Sequence, residues 1–161
     1  MTMAVLKNGS KAPDFTLPTD GGGSVTLSAL KGQPVVLYFY PKDDTPGCTQ
    51  ESCDFRDNMT ALKRLKVQVI GISKDSVKKH DKFKEKYELN FPLASDEEGS
   101  VCEKYGVWVE KSMYGKKYMG IERSTFLIDA EGKIAHMWRK VSVTDHVTEV
   151  LQVLKDQKKA A

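Results

Sequence analysis

Apolar positions along the chain change period several times, and each change marks an element. Val35-Val36-Leu37-Tyr38-Phe39-Tyr40, between Pro34 and Pro41, is apolar at every position and rich in β-branched and aromatic residues, as in a central strand covered on both faces. From about Gly47 to Lys66 the period becomes helical: Phe55, Met59 and Leu62 fall at i, i+4 and i+7, and Leu65 extends the stripe. Cys48 lies seven residues before Phe55 and therefore on the same inward face. Val67 to Ile72 predicts a second buried strand, and Ser73 to Glu88 a second helix with Val77, His80, Phe83 and Tyr87 on one side. Beyond Phe91-Pro92-Leu93 come a short helix over Glu97 to Tyr105 and two strands, Ile121 to Ile128 and Lys133 to Trp138, joined by the turn Asp129-Ala130-Glu131-Gly132. Thr144 or Asp145 caps a last helix, whose Val147, Val150, Leu151 and Leu154 share a face. Ahead of all these, Gly9 to Pro18 reads as an extended arm that turns at Gly21-Gly22-Gly23 into Ser24-Val25-Thr26-Leu27, a small N-terminal β-hairpin.

A β-α-β-α half followed by a hairpin and a helix implies an α/β chain: a mixed central sheet of about five strands with helices on both faces. This order resembles the thioredoxin-like layout. The length of 161 residues suits a single domain spanning 1–161, and 40% hydrophobic with 29% charged residues is ordinary globular composition. Lys plus Arg at 25 against Asp plus Glu at 22 gives +3, with the basic residues scattered apart from small groups such as Lys116-Lys117 and Lys158-Lys159, so no nucleic-acid partner is expected. The longest apolar run, Val35 to Tyr40, is far short of the ~20 residues a membrane span needs, and Met1 to Lys7 shows no secretory signal; a cytoplasmic protein is expected. Three cysteines, an odd number, argue against a disulfide framework and for thiol chemistry or buried free thiols.

The informative stretch is Pro41-Lys42-Asp43-Asp44-Thr45-Pro46-Gly47-Cys48-Thr49-Gln50-Glu51-Ser52-Cys53, which puts a thiol just past a Pro-Gly turn where a strand ends and a helix opens. A helix N-terminus offers unpaired backbone N–H groups and partial positive charge, which favour a thiolate over a thiol and can hold a peroxide oxygen. Thr45 can turn its hydroxyl toward the same spot, and Pro41 can fence it from bulk water. Glu51 either tunes Cys48 or solvates a helix face.

Pro41, Thr45 and Cys48 match the Pro-x-x-x-Thr/Ser-x-x-Cys signature of peroxiredoxins, and Gly47 to Cys53 resembles the peroxiredoxin Q, or bacterioferritin-comigratory, branch. The likeness extends to Gly9 to Leu17, to Tyr105-Gly106-Val107-Trp108 and to Arg123-Ser124-Thr125-Phe126-Leu127-Ile128-Asp129, nearly the whole chain. It implies that Cys48 is the peroxidatic nucleophile, that Thr45 orients the peroxide, that Pro41 shields the thiolate, that Arg123 stabilises thiolate and transition state, and that Cys53 is the resolving thiol. The implied function is a peroxidase for hydrogen peroxide and organic hydroperoxides, needing no cofactor or metal, regenerated by thioredoxin with glutaredoxin as an option, and monomeric. No strongly apolar surface stripe calling for a partner is visible. An arginine among Ile121, Thr125, Phe126, Leu127 and Ile128 needs an anionic partner, and a thiolate supplies one.

The spacing of Cys48 and Cys53 carries a prediction about motion. In an intact helix, i and i+5 Cα atoms lie about 8.7 Å apart, with side chains about 140° apart around the axis. A disulfide needs roughly 4.4 to 6.8 Å, so the helix must unwind for the two to bond. Cys102, in Val101-Cys102-Glu103-Lys104-Tyr105, reads as structural, and His80 as a packed or rim histidine. His80, His136 and His146 are neither paired nor near the cysteines in sequence, so zinc is not favoured. Two rival functions are a thiol-disulfide oxidoreductase, for which Glu51 stands where the second thiol of Cys-x-x-Cys would be, and a non-catalytic redox sensor or holdase.

Overall fold

A computed structural model describes residues 6–160, with side chains through 157; Met1 to Val5 and the Lys158-Lys159 side chains lie outside the described residues. The central sheet has five strands in the order β5-β4-β3-β8-β9. β3 (Val35–Phe39) runs parallel to β4 (Gln68–Ser73), which is parallel to β5 (Leu93–Ser95). On its other side β3 pairs antiparallel with β8 (Ser124–Ile128), and β8 with β9 (Ile134–Trp138). β1 (Thr16–Pro18) and β2 (Ser24–Thr26) form the expected N-terminal hairpin, which isolated bridges Lys11–Lys133 and Thr19–Ala94 tie to the sheet.

Each residue of β3 is buried because successive side chains enter two different cores. Leu37 and Phe39 face one cluster with Phe15, Tyr105 and Phe126, covered by the N-terminal arm and α4 (Ser100–Lys104). Val36, Tyr38 and Tyr40 face the other, built on Phe55, Leu62, Phe83 and Val150 from α1 (Pro46–Asp57), α2 (Met59–Arg64), α3 (Val77–Tyr87) and α5 (His146–Ala160).

Three expectations need correction. The helix expected over Gly47 to Lys66 is two helices, because Asn58 leaves helical geometry (φ −103°, ψ 6°) and α2 restarts the stripe at Met59. The segment Ile121 to Ile128 is not one strand: β7 (Lys116–Ile121) pairs with β6 (Trp108–Met113) as a separate two-stranded hairpin, and the chain turns at Glu122 and Arg123 before β8. On that hairpin Met113, Tyr114, Tyr118 and Met119 are exposed, Tyr114 at 98%, with the adjacent Tyr118 and Met119 on opposite faces of β7. The mixed polar and apolar order of 108–120 hid this hairpin. Finally, Asp145 precedes α5, but only its backbone serves there, its carbonyl accepting from Glu149 N at 3.1 Å.

Candidate active site

β3 delivers the chain through Tyr40 to an exposed Pro41, and α1 opens six residues after Tyr40, at Pro46. Thr45 holds the N-cap position in extended geometry (φ −97°, ψ 153°), and Pro46 fits the first helical position because its φ is preset and no N–H is needed there. Thr49 N–H donates to Thr45 O at 2.8 Å. That leaves the N–H groups of Gly47 and Cys48 without an intrahelical acceptor, turned outward at the start of the helix. Thr45 does not cap α1 with its side chain; its hydroxyl donates to Lys42 O at 2.9 Å. With its hydrogen so engaged, the Thr45 oxygen keeps lone pairs to accept a hydrogen from a bound hydroperoxide.

Arg123 enters from the corner between β7 and β8. Glu122 N–H donates to Val107 O at 2.7 Å and Val141 N–H to Arg123 O at 2.9 Å, fixing the backbone there. The guanidinium then bridges two groups of α1: Nη1 donates to Glu51 Oε1 at 2.8 Å and Nη2 to Cys48 Sγ at 3.3 Å. A Cβ on Gly47 would sit 3.1 Å from Nη2, so a larger residue there would push the guanidinium back by a few tenths of an ångström. Cys48 is 1% exposed and Glu51 fully buried. Glu51 is thus part of the site rather than a solvated helix face, and Arg123 has two partners where the sequence suggested one.

Burial pushes the Glu51 carboxyl up to about 7, against the opposing pull of Arg123's charge and hydrogen bond, with Asp54 adding to the rise. Its Oε2 is buried without a hydrogen-bond partner. For Arg123, burial works against the charge, but Glu51 and Cys48 outweigh it and hold the guanidinium above its ordinary value. Two more side chains feel this cluster. Lys111 of β6 is held below its usual range by burial and by Arg123, with Cys48 pulling the other way. His146, whose Nε2 lies 2.7 Å from Thr125 Oγ1, is driven down to about 4 by burial and then by Arg123.

Cys53 lies on α1 one turn and a half beyond Cys48, half-buried, its thiol pushed up by burial with Arg56 opposing. All three cysteines are free, and α1 runs unbroken through Cys48 and Cys53. Cys102 sits on α4 in the opposite core; burial and then Asp96 drive its thiol far up, which fits a structural residue. Sequence reasoning missed Asp43. Its carboxylate meets His80, which is fully buried rather than at a rim, at 2.6 Å from Nδ1. Thirty-seven residues separate the two, and no local pattern joins them.

A thiol held under a guanidinium at the start of a helix, on a thioredoxin-like sheet, defines a cysteine-dependent redox enzyme. Residues 8–137 match the AhpC/TSA family, and the chain belongs to that family, among the peroxiredoxins of the Bcp or Q branch. It is 61% identical to the putative peroxiredoxin Bcp of Coxiella burnetii over 91% of this chain and 97% of that protein. To peroxiredoxin Bcp of Bacillus subtilis it is 56% identical, over 94% and 96%. Among solved structures, PrxQ of Xylella fastidiosa superposes with a TM-score of 0.91 at 39% identity, covering 96% of this chain and 99% of that one. The bacterioferritin comigratory protein of Xanthomonas campestris, described for its alkyl peroxide reduction activity, superposes at 0.87 with 44% identity, covering 96% and 98%.

Proposed function

We propose that the chain is a single-domain thiol peroxidase in which Cys48 attacks the peroxide. The Cys48 thiolate takes the terminal oxygen of hydrogen peroxide or an organic hydroperoxide, the O–O bond breaks, and the hydroxide or alkoxide leaves and takes up a proton. Arg123 Nη2, 3.3 Å from the sulfur, is the observation that carries this reading: its positive charge lies beside the nucleophile and faces the charge that develops on oxygen. The free N–H groups of Gly47 and Cys48 and the Thr45 oxygen orient the peroxide, and Pro41 screens the thiolate.

The product is a sulfenic acid on Cys48. Cys53 attacks that sulfur, water leaves, and a Cys48–Cys53 disulfide forms. Because α1 holds the two Cα atoms about 8.7 Å apart, its first turns unwind to let this happen. The opened disulfide suits attack by a dithiol protein, and thioredoxin, with glutaredoxin as an option, returns the enzyme to its dithiol state as a monomer. Such a cycle belongs in a reducing compartment, the cytoplasm.

Intact-mass analysis and disulfide mapping, after one equivalent of hydrogen peroxide and alkylation of free thiols, test the scheme. The expected product has lost two hydrogens and carries a Cys48–Cys53 bond within one chain. A bond to Cys102, an intermolecular dimer or a stable oxygen adduct on Cys48 would remove Cys53 as resolving thiol. An unreactive Cys48 would remove the peroxidase itself.

A further inference from the structure

We infer that Asp43 and His80 are positioning residues for the peroxidatic loop: a buried pair on the side of the loop away from Arg123 that fixes residues 42–45 against α3. The inference rests on Cys48 being the peroxidatic thiol. The loop between Tyr40 and Pro46 is irregular and carries Thr45, yet it contains a carboxylate that is only 8% exposed. Asp43 Oδ1 accepts from Tyr40 OH at 2.6 Å, and Oδ2 lies 2.6 Å from His80 Nδ1. His80 is fully buried, and its Nε2 lies 3.0 Å from Ala94 O at the centre of β5. A carbonyl oxygen only accepts, so Nε2 is the donor to Ala94 O, and Nδ1 and the carboxylate share the short contact on the other side of the ring. Both nitrogens and both carboxylate oxygens are then satisfied, in a place where an unpaired group would be costly.

Further bonds hold the same loop. Asp43 N–H donates to Asp75 Oδ2 at 2.8 Å, and Asp75 is itself fixed by Ser73 Oγ at 2.6 Å and, through its carbonyl, by Ser95. Asp44, at φ +60°, accepts from Lys86 Nζ at 2.9 Å and Tyr87 OH at 2.7 Å, both at the end of α3. A left-handed aspartate persists only where its surroundings determine it. Between these anchors and α1, Lys42 O receives the Thr45 hydroxyl and Thr45 O receives Thr49 N–H, so the placement of Asp43 passes to the groups that orient peroxide. No member of the pair touches the sulfur, and the pair acts through loop geometry alone.

Two reactions of Cys48 separate this role from general stability. Peroxide needs the oriented hydroxyl and N–H groups, whereas alkylation by iodoacetamide needs only an accessible thiolate. In Asp43→Asn and in His80→Asn, the second-order rate with hydrogen peroxide is expected to fall about 10-fold or more, with alkylation within about twofold of the parent, well below the melting temperature of each variant. The double variant is expected to lose no more than the worse single one, as for two groups acting as a unit. Tyr40→Phe, which deletes one hydrogen bond to the same carboxylate, is the milder variant, expected to lose about two- to fourfold with peroxide alone. An unchanged peroxide rate in folded Asp43→Asn overturns the inference, and so does an unchanged rate in Tyr40→Phe if Asp43→Asn does not fold. Parallel loss of peroxide and alkylation rates also overturns it. A parent Cys48 that does not react with peroxide at all would instead sink the peroxidase reading.

Discussion

α1 and α3 lie on the same face of the sheet and have nearly equal length, 12 and 11 residues, but they are finished in opposite ways. α3 is capped: Ser76 Oγ accepts from Lys79 N–H at 3.2 Å, and Glu88 closes the helix in the left-handed region. Such a cap is worth about 1 kcal/mol. α1 has no side-chain cap at its start, carries no acidic residue in its first turn, and stops at Asn58. It also contains Glu51, whose Oε2 is buried without a partner. What holds α1 closed is tertiary: Arg123 across Cys48 and Glu51 at one end, and at the other Phe55 stacked on Tyr38 at 4.7 Å. The helix that opens in the proposed cycle is fastened by side chains from elsewhere, and the helix against which the proposed positioning pair packs is fastened by its own ends. Local weakness at a functional element is physically reasonable, since a segment can open on its own only if its closure costs little to undo.

The comparison can be broken most sharply at Arg123. In Arg123→Ala, the peroxide rate is expected to fall by about 10²- to 10³-fold, and α1 amides to exchange faster while those of α3 keep their protection, because a buried Glu51 is left without its counter-charge. Equal loosening of both helices in hydrogen exchange would show that Arg123 supports the whole fold and not α1. Thr45→Ala comes next. In the proposed mechanism it removes an oxygen that orients peroxide, and with it the hydrogen bond to Lys42 O but no capping bond, so the peroxide rate is expected to drop about tenfold while stability falls by no more than about 1 kcal/mol.

A smaller effect concerns pH. The Glu51 carboxyl has an ordinary value of 4.5 and rises to about 7 when α1 is closed. Below 4.5 it is neutral in both forms; between 4.5 and 7 the opened helix ionises it and the closed one resists. Closure of α1 therefore weakens as pH rises through that window, and opening is favoured near neutrality. Exchange in α1, corrected for intrinsic rates and referred to α3, should rise across the window in the parent and stay flat in Glu51→Gln. A flat parent profile would mean that the carboxyl does not gate the helix. The smallest expected effect is Ser76→Ala, about 1 kcal/mol of stability with the peroxide rate within about twofold, read by denaturant unfolding and peroxide kinetics.

The order of strands and helices was legible in the sequence because burial on a strand or helix leaves a period. Phe55, Met59 and Leu62 announced a helical face, and Val35 to Tyr40 a doubly covered strand. Where burial does not follow a period the reading failed: the 108–121 hairpin stands off the main sheet with both faces partly in water, so its residues show no clean alternation, and Asn58 breaks a helix without breaking its stripe. The candidate site was half legible. Thr45 and Cys48 lie within four residues and their helix-start geometry is local, so sequence order sufficed. That Glu51 points inward to Arg123, and that Asp43 is locked to His80, depends on which charges the folded chain removes from water together. Charges removed from water must be paired, but a carboxylate in a sequence gives no sign of whether it will be buried or which distant cation or imidazole will meet it; only the packing of α1 and α3 on the sheet decides that.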